Sequence, residues 1–269
     1  MSYFKDKVAL VTGASRGVGL AIARSLCADG AKVVITARGK ERLEAERKKL
    51  AEIAEVAAVC GDVGQWTDAQ KMVDAALNNF GRLDILVNNA GVSMRGSFCD
   101  LSPEVCKQVI DTNLMGCVYM TRAAVDHIVK AKGHVVFISS IAGIFGVPGA
   151  SLYCASKGAL TQFSESLRLE LKPRGVHLGV VYLGFTEHDP EKRILSADGT
   201  PILPDRPAHH TQAQAAGLIV KMIEKRKKRL VMTPVGKFSQ LAHRLSPDLV
   251  EQAILWAQSH RIGAFKEFS

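Results

Sequence analysis

The sequence runs to 269 residues, with 35 Lys and Arg against 26 Asp and Glu, a formal net charge of +9. A hydrophobic share of 47% excludes an intrinsically disordered chain, and 23 glycines without a triplet period exclude a collagen-like one. No run of ~18 apolar residues offers a membrane-spanning helix, and the first residues lack the apolar core of a signal peptide, so a cytoplasmic protein is expected.

Residues 8–11 form a continuously apolar run that reads as a strand buried on both faces. Similar runs recur at 33–37, 56–59, 85–87, 135–138 and 178–182. Helical spacing fills 18–29, 40–54, 67–79, 103–131 and 152–172, followed by a helix near 211–228 and a short strand at 230–232. Two-sided apolar strands alternating with helices predict an α/β fold, a doubly wound parallel sheet covered on both faces. No composition break divides the chain, so 1–269 is expected to be one domain. Residues 187–210 carry Pro190, Pro201, Pro204, Pro207 and Gly199 with little periodicity. A loop that long after a late strand is expected to cover a ligand site.

The first strand leads into Thr12-Gly13-Ala14-Ser15-Arg16-Gly17-Val18-Gly19 and then a helix. Gly13 permits a tight turn, Gly17 lets backbone approach a ligand, and Gly19 allows close helix–strand packing. A helix N-terminus there offers N–H groups and a positive dipole end to a pyrophosphate. The second strand should carry an acid ~20 residues on if the ribose 2′-OH is to be bound. It reads Ile35-Thr36-Ala37-Arg38 instead. Arg38 and Arg16 would attract a 2′-phosphate that an acid would repel, which points to NADP(H). Asp62, in Gly61-Asp62-Val63, could accept from an adenine amino group or close an Asx turn. Asn88-Asn89-Ala90-Gly91 ends the fourth strand, where small residues let backbone pass close to a ribose.

The strand at 135–138 ends in Ser139-Ser140, and Tyr153 and Lys157 follow at i, i+4 spacing on a predicted helix, sharing a face. A free tyrosine has a pKa of ~10, too high for efficient proton shuttling, and a fixed ammonium beside it stabilises phenolate. Tyr153 could then exchange a proton with a carbonyl or alcohol oxygen, Ser140 could hydrogen-bond that oxygen, and a nicotinamide could exchange hydride with the carbon. The opposite helix face, with Leu160, Phe163, Leu167 and Leu171, is built for packing.

Together, Thr12-Gly13-x-x-x-Gly17-x-Gly19, Asn88-Asn89-Ala90-Gly91, Asn113, Ser140, Tyr153 and Lys157 resemble the short-chain dehydrogenase/reductase family from Lys7 to about Met232. The resemblance implies a single Rossmann domain with a seven-stranded parallel sheet, usually in a homodimer or homotetramer. It implies an oxidoreductase acting on ketones, aldehydes or secondary alcohols, with Tyr153 as acid/base and Lys157 binding the nicotinamide ribose and tuning Tyr153. Ser140 would orient the substrate oxygen, and Asn113 would hold a relay water. The cofactor contacts implied are Gly13, Ser15, Arg16, Gly17, Val18, Gly19, Arg38, Asp62, Val63, Asn89, Ala90, Gly91, Thr112, Tyr153, Lys157, Leu183, Gly184 and Thr186. One departure is that Leu183 stands where the family usually has Pro, and His188 where a nicotinamide-contacting Thr often falls; Thr186 is the substitute. A 3-oxoacyl-thioester reductase and a noncatalytic NADP(H)-sensing scaffold are the alternatives. His188 and the His209-His210 pair read as loop surface.

The six cysteines, Cys27, Cys60, Cys99, Cys106, Cys117 and Cys154, form no Cys-x-x-Cys pair and no His-bearing metal set, and are expected to be buried or half-buried free thiols without a metal. The cationic run 225–229 reads as the solvated end of a helix, with no nucleic-acid partner expected. The extension at 233–269 repeats leucines at four-residue spacing, Leu241, Leu245 and Leu249, interrupted by Pro247. It could cover the substrate pocket, form a subunit contact or lie on a membrane.

Overall fold

A computed structural model describes residues 2–187, 189–203 and 210–260, with the side chain of Val235 left aside. The elements run β1 (Val8–Thr12), α1 (Gly17–Ala28), β2 (Lys32–Ala37), α2 (Lys40–Ala51), β3 (Val56–Cys60), α3 (Trp66–Phe80), β4 (Ile85–Asn88), α4 (Pro103–Ile110), α5 (Gly116–Lys130), β5 (His134–Ser140), α6 (Ser151–Leu171) and β6 (His177–Leu183). They continue with β7 (Ile194–Leu195), β8 (Pro201–Ile202), α7 (Gln212–Glu224), β9 (Arg229–Val231), α8 (Pro234–Leu245) and α9 (Pro247–Ser259).

Seven strands form one parallel sheet in the order β3-β2-β1-β4-β5-β6-β9. The order reverses between β1 and β4, the crevice where open α/β sheets bind ligands. β1 is buried along its whole length because its alternating side chains feed two cores. Ala9 and Val11 pack with Ile22 and Leu26 of α1 and Ile219 of α7, whereas Val8 and Leu10 pack with Met72 of α3, Met120 of α5 and Leu160 of α6. Each fully buried Leu or Ile stabilises the fold by ~1.5–3 kcal/mol. Phe163 of α6 meets Phe137 of β5 edge to face at 5.6 Å, which seats the packing face of that helix.

Four expectations change. The helix expected over 103–131 is broken by a π-helical turn at Asp111–Met115, which turns Asn113 into the protein. The irregular 187–210 segment contains the short antiparallel pair β7–β8, while His188 and residues 204–209 lie outside the described residues. The expected helix to 228 is shorter: α7 stops at Glu224 with Lys225 as its C-cap, so the exposed cationic run sits at its C-terminal end rather than inside its last turn. Arg226 of that run donates to the carbonyls of Lys132 and Gly175, and Arg229 of β9 pairs with Glu165. Cysteine burial is also mixed: Cys27 and Cys117 are buried and Cys106 and Cys154 half-buried, but Cys60 and Cys99 are exposed.

Candidate active site

The C-terminal ends of the strands surround a cavity of about 1180 Å³ that takes in both halves of the expected site. A typical small-molecule pocket holds ~300–1,000 Å³, so a dinucleotide and a second ligand have room.

At one end lies the glycine-rich turn. Gly13 and Gly17 have φ of +64° and +62°, a left-handed backbone that other residues adopt at a cost. A Cβ on Gly13 would lie 2.8 Å from the Ala90 Cα, and one on Gly19 would lie 2.3 Å from the Asn89 Nδ2, whereas Gly17 faces open space. Gly13 thus sits in a tight turn and Gly19 in a close contact, while the space beside Gly17 is open. Thr12 holds the cradle, since its Oγ1 accepts from the backbone N–H of Asn89 and Ala90 at 2.9 and 3.0 Å. The Asn89 amide returns bonds to the carbonyls of Thr12 and Gly13. No side chain caps the N-terminus of α1 at Arg16, so its first N–H groups are left for a ligand.

Arg16, Arg38, Asp62 and Val63 line the same end, and Ser15, Val18 and Thr112 line the cavity with them. Arg38 is more than half exposed, and its Nη1 stands 3.9 Å from Asp62 Oδ2. Asp62 Oδ1 accepts from the Gly64 N–H at 2.9 Å, the Asx turn that the sequence left open against adenine binding. Arg16 donates to the Glu191 carbonyl at 3.2 Å. Arg42, which sequence reasoning passed over, donates from Nε to the Ser15 carbonyl at 3.1 Å and pairs with Asp189 and Glu191.

In the middle stand Ser140, Tyr153 and Lys157, all lining the cavity. Lys157 is 4% exposed, and its Nζ donates to the Ile138 carbonyl at 2.9 Å. The two adjacent serines divide their work. Ser139 is buried and its Oγ donates to the Lys157 carbonyl at 2.8 Å, pinning α6 to β5. Ser140 Oγ accepts from the Ala142 N–H at 3.2 Å, which leaves its own proton for another acceptor. Asn113 is wholly buried: its Oδ1 accepts from the Val92 N–H at 2.8 Å and its Nδ2 donates to the Val92 carbonyl and Ser156 Oγ. Its side chain is therefore a clamp between the segment after β4 and α6, and its main-chain carbonyl accepts from Cys117 Sγ. Burial pushes the Cys154 thiol up and takes Cys117 to about 11, which favours the neutral thiol in both.

Beyond β6, Leu183 pairs in register with Ser140, and a Cβ on Gly184 would lie 2.5 Å from Thr233 Cγ2. Thr233 caps α8, so the chain past the sheet is pressed against the family-variant segment. Thr186 is buried, lines the cavity and bridges to His210, whose partner His209, like His188, lies outside the described residues. The far end is apolar: Phe145, Val147, Leu195, Phe238, Leu249 and Ile254 line it, the last three from α8 and α9. Of the three readings open for the extension, pocket cover is the one these contacts supply. Phe238, Leu241, Leu245, Leu249, Leu255 and Trp256 also remain more than half exposed. Sequence reasoning had no signal for the wall residues, since no local pattern says which face of α8 or α9 meets a pocket.

No group of three or more His, Cys, Asp and Glu side chains among the described residues could hold a metal, and no described helix is long and apolar enough to cross a membrane. A parallel sheet with a glycine-rich turn at its reversal point is the arrangement of dinucleotide-binding α/β folds. Residues 7–198 match the family model for short chain dehydrogenases, and the chain belongs to that family. It is 39% identical to 11-beta-hydroxysteroid dehydrogenase-like 2 of Arabidopsis thaliana, over 68% of this chain and 60% of that one. It is 36% identical to 11-beta-hydroxysteroid dehydrogenase 1A of the same plant, over 91% of this chain and 73% of the relative. The first relatives matched are thus spanned over less than two thirds of their length. A short chain dehydrogenase/reductase from Burkholderia phymatum in complex with NAD superposes with TM-score 0.82 at 26% identity, covering 93% of this chain and 96% of that one. A metagenomic short-chain oxidoreductase in complex with NADP does so with TM-score 0.72 at 29% identity, covering 86% and 98%.

Proposed function

We propose that the protein is an NADP(H)-dependent oxidoreductase that interconverts a bulky apolar ketone or aldehyde and its alcohol by hydride transfer, with Tyr153 as acid/base. The observation that carries this reading is that one cavity is lined by Arg16 and Arg38, by Ser140, Tyr153 and Lys157, and by an apolar wall. The open face at Gly17, the uncapped start of α1 and the two arginines fit a dinucleotide with a 2′-phosphate. Such a cofactor supplies or accepts the hydride at its nicotinamide C4.

In the reducing direction Tyr153 gives its phenolic proton to the carbonyl oxygen while the carbon gains hydride, and oxidation runs the same transfers backward. Lys157 spends one of its three N–H donors on Ile138 and keeps two for a ribose hydroxyl and a proton path. Its charge stabilises the phenolate left when the proton departs. Ser140, already accepting from Ala142, donates to the substrate oxygen. Gly17 lets backbone approach the cofactor, Gly13 and Gly19 shape the turn with Asn89, and Ala90 and Gly91 are the small residues beside its ribose; Leu183, Gly184 and Thr186 face its nicotinamide end. The names of the matched relatives, hydroxysteroid dehydrogenases, agree with an apolar wall made from Phe145, Phe238 and Ile254. A homodimer or homotetramer, as is usual in the family, belongs to the same reading.

The test is NADPH oxidation followed across steroids, retinoids, quinones, sugars and 3-oxoacyl thioesters, for wild type and Tyr153→Phe. Removing the acid/base is expected to cost at least ~10²–10⁴-fold in turnover while NADPH still binds by fluorescence. Turnover retained by Tyr153→Phe would overturn the mechanism, and a preference for 3-oxoacyl thioesters would replace the substrate class.

A further inference from the structure

We infer that Arg42 is a positioning residue that fastens the substrate loop to the cofactor cradle, so that a strap of residues 189–195 is held across the cavity from end to end. The cradle's role rests on the proposed function; the fastening itself does not.

Every nitrogen of the Arg42 guanidinium is engaged. Nε donates to the Ser15 carbonyl in the glycine-rich turn at 3.1 Å, Nη2 to Asp189 Oδ2 at 2.7 Å, and Nη1 to Glu191 Oε2. The planar fork suits this use, since one group satisfies a carbonyl and two carboxylates in fixed directions. Asp189 is the strong partner: its side chain is 10% exposed, and its other oxygen accepts from the Glu191 N–H at 2.9 Å. The Lys192 N–H donates to the Asp189 carbonyl at 2.8 Å, and Arg16 holds the Glu191 carbonyl. Both arginines thus grip one tight turn. Arg42 also lies in the first turn of α2, where the helix dipole disfavours cations, so the position is not explained by helix stability.

From this turn the chain crosses to the substrate side. Leu195 donates to the Ser93 carbonyl at 2.9 Å and accepts from the Arg95 N–H at 2.8 Å. Asp189, Glu191, Lys192, Arg193 and Leu195 all line the cavity between those two attachments. One attachment is backbone pairing beside the substrate wall, and the other is ionic and centred on Arg42. Where the strap lies over the cavity therefore depends on a residue at the cofactor end.

The test uses the full chain without cofactor, comparing wild type, Arg42→Gln, Arg42→Lys and the double variant Asp189→Asn/Glu191→Gln. Trypsin cleavage at Lys192 and Arg193 and amide exchange over 189–195 report the strap, and thermal melting reports the whole fold. Cleavage and exchange are expected to rise about tenfold in Arg42→Gln and in the double variant with little change in melting, and Arg42→Lys to fall between. Strap exchange and cleavage equal to wild type in both neutralised variants would overturn the inference, whatever happens to NADPH affinity. Equal rises in exchange across every segment would also overturn it, because they report general loosening. If wild type binds neither NADPH nor NADH by calorimetry, the proposed function falls while the strap result is read unchanged.

Discussion

Acid should destabilise this protein through two buried histidines far from the cavity. His134 and His177 start β5 and β6, are paired in register, and are 1% and 9% exposed. Their Nδ1 atoms are 3.2 Å apart, and Tyr3 Oη lies 2.6 Å from His134 Nε2. Among the described residues His177 Nε2 has no hydrogen-bond partner. Burial, then the His177 charge and the Arg226 and Lys7 cations, take His134 down to about 3; burial and Arg226 take His177 down to about 4. An unfolded histidine titrates near ~6.5. Between that value and the folded values the unfolded chain binds more protons, so stability rises with pH and is lost as pH falls below ~6.5. Each histidine loses ~1.4 kcal/mol per pH unit there, so moving from pH 7.5 to 5 costs ~2 kcal/mol each and ~4 kcal/mol for both. That is a large part of the ~5–15 kcal/mol that holds a typical domain. Urea unfolding at the two pH values measures it. His177→Leu should about halve the difference, and His134→Gln/His177→Leu should remove most of it. A double variant whose pH difference equals that of wild type would refute the reasoning.

Two further outcomes follow from the site. Arg38→Glu should cut the NADPH-over-NADH binding preference by ~10- to 100-fold, since a charge-assisted contact of ~1.5–3 kcal/mol becomes a repulsion; equal preference in variant and wild type by calorimetry counts against a 2′-phosphate site there. Asn113→Ala should leave the Val92 N–H and carbonyl without their partner, at ~1–3 kcal/mol for each buried group, seen as a lower melting temperature, with the clamp function predicting that Asn113→Asp recovers only the N–H half.

The sheet was legible because its strands are short apolar runs and its turn residues have single physical uses. Gly13, Gly17 and Gly19 could be assigned from spacing alone, and Ser140 at a strand end with Tyr153 and Lys157 one helical turn apart needed no tertiary information beyond the fold. What stayed hidden depends on long-range meetings. Arg42 and Asp189 are 147 positions apart. The inward turn of Asn113 needs a π-helical insertion, which periodicity reads as continuous helix. The division of Ser139 from Ser140 follows from strand alternation, but which face holds α6 does not. The run at 225–229 is legible as exposed charge at a helix C-terminus, but the last helical residue, Glu224, is not, because no Gly or Pro marks the stop.

The same sheet separates stability from chemistry. Ser140 and His134 are the two ends of β5, a strand of 7 residues, so at ~3.3 Å per step they stand ~20 Å apart. Asp84 stands beside the histidines at that N-terminal edge, where it accepts from the Val8 N–H and its carbonyl accepts from the His134 N–H at 2.8 Å. A Cβ on Gly133 would lie 2.1 Å from the Asp84 carbonyl oxygen, so the edge has no slack to relieve a protonated pair. Charge appearing on His134 or His177 is ~20 Å from Tyr153's end of the sheet, and burial keeps both rings neutral well below neutral pH. The acid limb of stability should therefore track the histidine variants, whereas the pH dependence of turnover should not move with them.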